Sequence, residues 1–214
     1  MRDMRLSAVI LAGGESRRMG RDKAWLTLDG EPLIARAIRL VRELGPVEVF
    51  ISGRADVDYS VLECPVLHDL EPGFGPLGAI ERALHACSSP LLLVLAVDLP
   101  HMTAAFLARL IDRASALTGV VPLRDGRLEP LAAIYPKRCH EMAFRFIAQS
   151  RHCACDFAEA CRQEGTVRTP RVARRDARCF VNWNSPVDVT SCRGQLVANR
   201  SALRKRIRVR GSRR

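Results

Sequence analysis

The apolar run Leu6 to Leu11 empties, after a single alanine, into Gly13-Gly14 and then into Glu15-Ser-Arg-Arg-Met-Gly-Arg-Asp-Lys23. Such a segment reads as a buried strand followed at once by a loop that must leave the sheet. Glycines at 13 and 14 permit positive φ and close approach of a ligand. Successive backbone N–H groups are then expected to face phosphate oxygens rather than a neighbouring strand. Ser16, Arg17, Arg18 and Lys23 add hydroxyl and cationic donors, which suit a polyphosphate because charge-assisted hydrogen bonds are about twice as strong as neutral ones. A glycine pair with basic neighbours also occurs in ordinary exposed turns. The spacing matches neither G-x-G-x-x-G nor G-x-x-x-x-G-K-[ST], so neither of those two phosphate-binding mechanisms is supported.

Beyond this loop, short β-rich runs alternate with helical patterns, which predicts an α/β fold built on a mainly parallel sheet. Strands are expected at Leu6 to Leu11, Val47 to Ser52, Pro65 to His68, Leu91 to Val97, Gly119 to Leu123, Ala132 to Tyr135 and Cys179 to Asn182. Helices are expected at Pro32 to Leu44, Leu77 to Ala86, Ala104 to Leu117, Pro136 to Gln149, Ala154 to Gln163 and Pro186 to Ala198. Gly45 and Gly165 stand where helix ends commonly need a left-handed residue. The less periodic stretch Ser150 to Arg178 is a candidate lid or flap on the acceptor side.

At 214 residues the chain fits one domain, expected to span residues 1–198. The net charge of +11 suggests a nucleic-acid binder until the charges are located. Eight basic residues and no acidic one lie between Arg200 and Arg214; without them 26 Lys and Arg face 23 Asp and Glu. The excess therefore belongs to a basic tail, 199–214, expected to be solvated. With no aromatic-interleaved platform beside it, nucleic acid is not expected as the main partner. No apolar run reaches the ~20 residues of a membrane helix, and the start lacks a signal-peptide core, so a cytoplasmic location is expected. Of the eight cysteines, His152, Cys153, Cys155 and Cys161 form the best zinc candidate. Their spacing lacks the paired C-x₂₋₄-C of zinc knuckles, and buried or unselected thiols are the plainer reading.

Ligands of an open α/β sheet bind beyond the carboxyl ends of its strands. Asp98, directly after Leu91-Leu-Leu-Val-Leu-Ala-Val97, would suffer desolvation unless a cation or a helix N-terminus compensated it. Asp98 or Thr103 could simply cap the helix that opens at Ala104. Beside a phosphate loop, Mg²⁺ is the stronger reading, because it is typically held by one or two carboxylates plus substrate phosphates. Asp69 follows the third strand and reads equally as a turn carboxylate. Asn182 and Asn184 read either as turn formers before Pro186 or as polar ligands. Glu129-Pro-Leu131 reads either as an acceptor-facing segment or as plain strand entry.

Leu11 to Lys23 resembles the signature L-A-G-G-x-S-x-R-M-G-x-D-K of the nucleotidyltransferases that include the molybdenum cofactor guanylyltransferases, and it matches every fixed position. Val97-Asp98-Leu99-Pro100, Gly75-Pro76-Leu77-Gly78-Ala79 and Asn182 to Asp188 are similar to further motifs of that family, in order. The resemblance implies a single Rossmann-like, doubly wound nucleotidyltransferase fold with helices on both faces. It implies that Leu11, Ala12, Gly13, Gly14, Ser16, Arg18 and Lys23 contact the nucleotide, that Asp69 lies near the base or ribose, and that Asp98 binds Mg²⁺. Lys23 and Asp98 would carry catalysis.

The implied reaction is GMP transfer from GTP to molybdopterin or Mo-molybdopterin, with pyrophosphate released. Other cofactor-biosynthesis proteins or apo-molybdoenzymes would be partners. Gly13 favours guanine over the related cytidylyltransferases, which resemble L-A-A-G here. Sugar-phosphate nucleotidyltransferases share the fold and the loop, and a polyanion-binding protein on the same scaffold is the non-catalytic alternative. One departure stands out: Ser52-Gly53 occupies the region where the family carries a nucleotide-contacting Asn.

Overall fold

The computed structural model describes residues 5–13, 23–68 and 73–183. They form, in chain order, β1 (Leu6–Leu11), the hairpin β2 (Thr27–Leu28) and β3 (Glu31–Pro32), α1 (Leu33–Arg42), β4 (Glu48–Gly53), β5 (Val66–His68), α2 (Gly75–Ala86), β6 (Leu91–Ala96) and α3 (Ala104–Ile111). There follow β7 (Gly119–Val120), a second hairpin of β8 (Leu123–Arg124) and β9 (Arg127–Leu128), β10 (Ala132–Pro136), α4 (His140–Ala148), α5 (Ala154–Gln163) and β11 (Val167–Arg168). The chain divides into a body, Met1–Val181, and a segment, Asn182–Arg214, of which Asn182 and Trp183 are described. The domain boundary expected at residue 198, the helix expected at 186–198 and the basic tail lie outside the described residues.

Among the described residues the main sheet runs in the order β11-β7-β10-β6-β1-β4-β5. β1 is parallel to both β4 and β6, and β10 is antiparallel to both β6 and β7, so the sheet is mainly parallel as expected. Every residue of β1 and β6 is buried, the mark of strands covered on both faces. Val9, Leu11, Leu92, Val94, Ala133 and Tyr135 join one core cluster with α2, α4 and α5. The alternate residues Ala8, Ile10, Leu93 and Leu95 face the other way, and α1 packs against β1 and β4 through Leu33, Ile34, Ala37, Ile38 and Val41. Gly45 and Gly165 both adopt φ +68° where their helices end, as the sequence predicts.

Four expectations are corrected. Cys179 to Asn182 is not a strand: Arg174–Phe180 is a 3₁₀ helix, and its buried Cys179 and Phe180 pack as core residues. Phe180 meets Phe106 edge-on with centroids 5.3 Å apart, and Arg109 pairs with Asp176 at 2.8 Å. Gly119 to Leu123 is two short strands, broken at Pro122, which has no N–H to give a ladder. The helix opening at Ala104 stops at Ile111, and Ser115 and Thr118 then exchange two backbone hydrogen bonds in a tight turn. The stretch Ser150 to Arg178 is no lid: α5 buries Phe157, Ala158 and Cys161 in the core, and β11 extends the sheet beside β7.

Candidate functional site

β1, β4 and β6 end side by side, and their exits are joined by backbone hydrogen bonds. Ala12 and Gly13 both donate N–H to Ser52 O, at 2.8 and 3.0 Å, and Val97 donates to Leu11 O at 3.1 Å. The Ala12 and Gly13 amides therefore complete the sheet, whereas the sequence reading aims the Gly13 amide at phosphate. Leu11 and Ala12 are buried, whereas Gly13 is exposed. Gly14, Ser16, Arg17, Arg18 and Asp69 lie outside the described residues, as does Asn184. Any phosphate cradle of backbone amides would begin after Gly13.

Lys23 opens a single 3₁₀ turn, Lys23–Trp25, that leads into the β2–β3 hairpin. Asp98 lies in the turn after β6. Burial pushes the Asp98 carboxyl above the ordinary aspartate range, and the charge of Lys23 and the backbone of Asp98 itself offset only part of that. The fold thus puts Lys23 within electrostatic reach of Asp98, the other residue to which the sequence assigns catalysis. The competing role for Asp98 is taken by another residue: Thr103 is the N-cap of α3, with its Oγ1 accepting from Phe106 N at 3.2 Å.

The donors present fit a divalent cation held through one carboxylate. Among the described residues no three His, Cys, Asp or Glu side chains cluster as a closed metal shell. An ion at Asp98 would complete its coordination with phosphate and water oxygens, which is how Mg²⁺ is typically held. The desolvated carboxylate gains most from such a charge. The zinc candidate of the sequence divides instead. Cys161 lies in the core, 3.8 Å from Cys139 Sγ and 3.6 Å from Met142 Sδ, while Cys153 and Cys155 are exposed. His152 packs its ring on Phe74, centroids 5.0 Å apart, beside the loop that opens α2.

Glu129, open in the sequence between an acceptor role and strand entry, is paired with Arg124 at 2.6 Å. Pro130 O accepts from Tyr135 Oη at 3.1 Å, and Leu131 O accepts from Ala96 N at 2.8 Å, so this segment locks β10 to β6. Two groups around the site were missed in the sequence. Arg36 donates from Nε to Pro100 O at 3.0 Å, reaching from α1 to the Asp98 turn. Trp25 stacks on Tyr59, with centroids 6.3 Å apart and planes at 15°, and Tyr59 packs against Gly53. Neither carries a local sequence signal, because both contacts join segments far apart in the chain.

The MobA-like NTP transferase domain family matches residues 8–163. A "probable molybdenum cofactor guanylyltransferase" of Opitutus terrae is 37% identical over 186 residues, covering 86% of this chain and 92% of that protein. One of the same name from Pelotomaculum thermopropionicum is 31% identical over 191 residues, covering 89% and 93%. Among solved structures, the molybdopterin-guanine dinucleotide biosynthesis protein A of Archaeoglobus fulgidus superposes with a TM-score of 0.70 at 23% identity, over 91% of this chain and 99% of that one. A nucleotidyl transferase from Methanothermobacter gives 0.69 at 17% identity, over 91% and 99%, which supports the same fold. With a family match over most of its length, relatives above 30% identity and a shared fold, the chain belongs to the MobA-like NTP transferase family.

Proposed function

We propose that this protein transfers GMP from GTP to the terminal phosphate of molybdopterin, or of its molybdenum-loaded form, and releases pyrophosphate. The observation that supports the reading is the desolvated carboxylate of Asp98, in the turn after β6, on which the charge of Lys23 acts. The names of the Opitutus and Pelotomaculum relatives support guanylyl transfer as the activity. Gly13, exposed at the strand exit, leaves room beside the backbone for a purine.

In this reading the acceptor phosphate attacks the α-phosphorus of GTP in line. A new P–O bond forms, the bond to the β-phosphate breaks, and pyrophosphate leaves. No strong general base is required, since a phosphate monoester with second pKa about 6 is largely ionised at neutral pH. The protein's contribution is positioning and charge neutralisation. Lys23 stabilises the triphosphate and the departing pyrophosphate. Leu11, Ala12 and Gly13 bound the nucleotide with backbone and apolar surface, and Gly14, Ser16, Arg18 and Asp69 are assigned to the nucleotide on the motif alone. Asp98 would hold Mg²⁺, which when bound supplies Lewis-acid charge to donor and acceptor oxygens.

The test is pyrophosphate release with Mg²⁺ and molybdopterin, with GTP, CTP and ATP compared in parallel. Selective release with GTP is expected. Release with CTP alone would overturn the base assignment, and release only with a sugar phosphate in place of molybdopterin would overturn the acceptor.

A further inference from the structure

Lys23 and Asp98 stand on different segments, and a chain of polar contacts joins those segments through one side chain of α1. Arg36 donates from Nε to Pro100 O at 3.0 Å, two residues beyond Asp98. Its Nη1 lies 3.5 Å from Glu31 Oε2, on β3 of the hairpin that follows the Lys23 turn. Glu31 is itself fixed by a fork from Arg39, with Nε at 2.9 Å and Nη2 at 3.0 Å. Leu33 N donates to Leu26 O at 2.8 Å and closes the base of the hairpin.

The Asp98 turn needs such a tie. Its first residue is anchored by Val97 N on Leu11 O, and its exit is anchored by Met102 N on Leu99 O and by the Thr103 cap. Between them stands Pro100, which has no amide hydrogen. Its carbonyl is its one backbone hydrogen-bonding group, and Arg36 takes it. A guanidinium suits this place because its planar fork can address the carbonyl and the carboxylate at once, whereas an ammonium is a single point.

We propose that Arg36 is a positioning residue for the transfer: bridging Pro100 O and Glu31, it sets the separation of the Asp98 carboxylate and the Lys23 ammonium, and hence the seat of a metal-bound triphosphate. This rests on the nucleotidyl-transfer reading above. Arg36 and Glu31 are each one-third exposed, and ion pairs so exposed contribute little to global stability. Loss of Arg36 therefore acts on the site rather than on the fold.

The experiment measures GTP binding by calorimetry across a Mg²⁺ series, with kcat, KM and Tm, for the full chain and for Arg36→Ala, Arg36→Lys and Arg42→Ala. Arg42 is the control: it lies on the same helix and points to Glu63 O and Cys64 Sγ. Arg36→Ala is expected to raise the Mg²⁺ needed for half-maximal GTP binding about tenfold, the scale seen when an outer partner of a metal ligand is lost. Turnover should fall by a similar factor with the acceptor KM and the Tm unchanged. Arg36→Lys should recover part of the loss by restoring only the Pro100 contact, and Arg42→Ala should match the parent. An unchanged Mg²⁺ requirement in Arg36→Ala, or an equal change in Arg42→Ala, would overturn the positioning role. Absence of Mg²⁺-dependent GTP binding in the parent protein would overturn the nucleotidyl-transfer reading itself, and this inference with it.

Discussion

Gly53 packs so closely against the ring of Tyr59 that a Cβ there would stand 2.4 Å from Cε2 and 2.8 Å from Cζ. Tyr59 is 2% exposed and stacked on Trp25, so its ring has no open space to enter. In this chain the Trp25–Tyr59 pair fills the volume that a side chain at Gly53 would use. Gly53→Asn is expected to lower stability by about 1–3 kcal/mol, the usual cost of overpacking. Denaturant unfolding checks it, and the combined variant with Tyr59→Ala should cost less than the two single changes added together. A stability equal to the parent's would mean that Tyr59 does not occupy that volume.

The centre of the sheet was legible because β1, β6 and β10 are buried along their whole length and read as continuous apolar runs. Leu6–Leu11 is found with the bounds expected, and α5 likewise, whose apolar spacing is helical. What escaped was short or distant. Two hairpins turn on Asp29-Gly30 and Asp125-Gly126, all four residues at positive φ, and Asp-Gly is a strong hairpin signal. Their strands are two residues long, too short for alternation to show. Cys179 and Phe180 mimic a strand because burial of an apolar pair looks the same in a 3₁₀ turn. At the site, the desolvation of Asp98 was legible from the apolar run that precedes it. The tie through Arg36 was not, since Pro100 and Arg36 are 64 residues apart.

Among the described residues the thiols sort by environment. Cys153 and Cys155 are exposed, Cys64 is half-buried, and Cys87, Cys139, Cys161 and Cys179 are buried. Burial also pushes the Cys87 and Cys179 thiols up, which withholds the reactive thiolate. Among the described thiols, alkylation of the native protein followed by peptide mass spectrometry is expected to mark the exposed Cys153 first, then Cys155, whose thiol is pushed up by burial and by neighbouring Cys153, and the four buried ones only on unfolding. Early labelling of Cys161 would contradict the packing of α5 into the core.

Ser7 and Glu48, register partners on β1 and β4, lock the amino ends of the strands to the loop before β6. Glu48 Oε1 accepts from Ser7 Oγ at 2.5 Å, Ser88 N at 2.6 Å and Ser88 Oγ at 2.8 Å. Burial pushes its carboxyl up, but these hydrogen bonds and the charge of Lys137 outweigh it and hold the group below the ordinary glutamate range. A carboxyl lowered on folding adds stability above its unfolded pKa and loses it as pH falls through the lowered native value. Glu48→Gln keeps an accepting oxygen and removes the charge. It is expected to cost about 1 kcal/mol at neutral pH after solvent screening. The difference from the parent should close as unfolding is followed below the carboxylate range. A gap that persists in acid would assign the effect to geometry instead of charge.

Asp98 and Lys23 are expected to fail differently when removed. A carboxylate that holds Mg²⁺ against transferring oxygens acts mostly as charge develops, and a metal's contribution there is several kcal/mol. At 1.36 kcal/mol per decade, Asp98→Ala should lower turnover about 10²-fold or more while GTP affinity falls far less. In the proposed site Lys23 would face phosphate in both ground and transition states, so Lys23→Ala should weaken GTP binding and turnover together. Asp98→Asn separates function from folding: it removes a buried charge that Lys23 offsets only in part. Without nucleotide or metal it should therefore melt at or above the parent's Tm, even as activity is lost. Steady-state kinetics at saturating Mg²⁺, paired with thermal unfolding of the free protein, read all three. Parent-like turnover in Asp98→Ala would remove the metal from that carboxylate, and parent-like kinetics in Lys23→Ala would remove the lysine from the site.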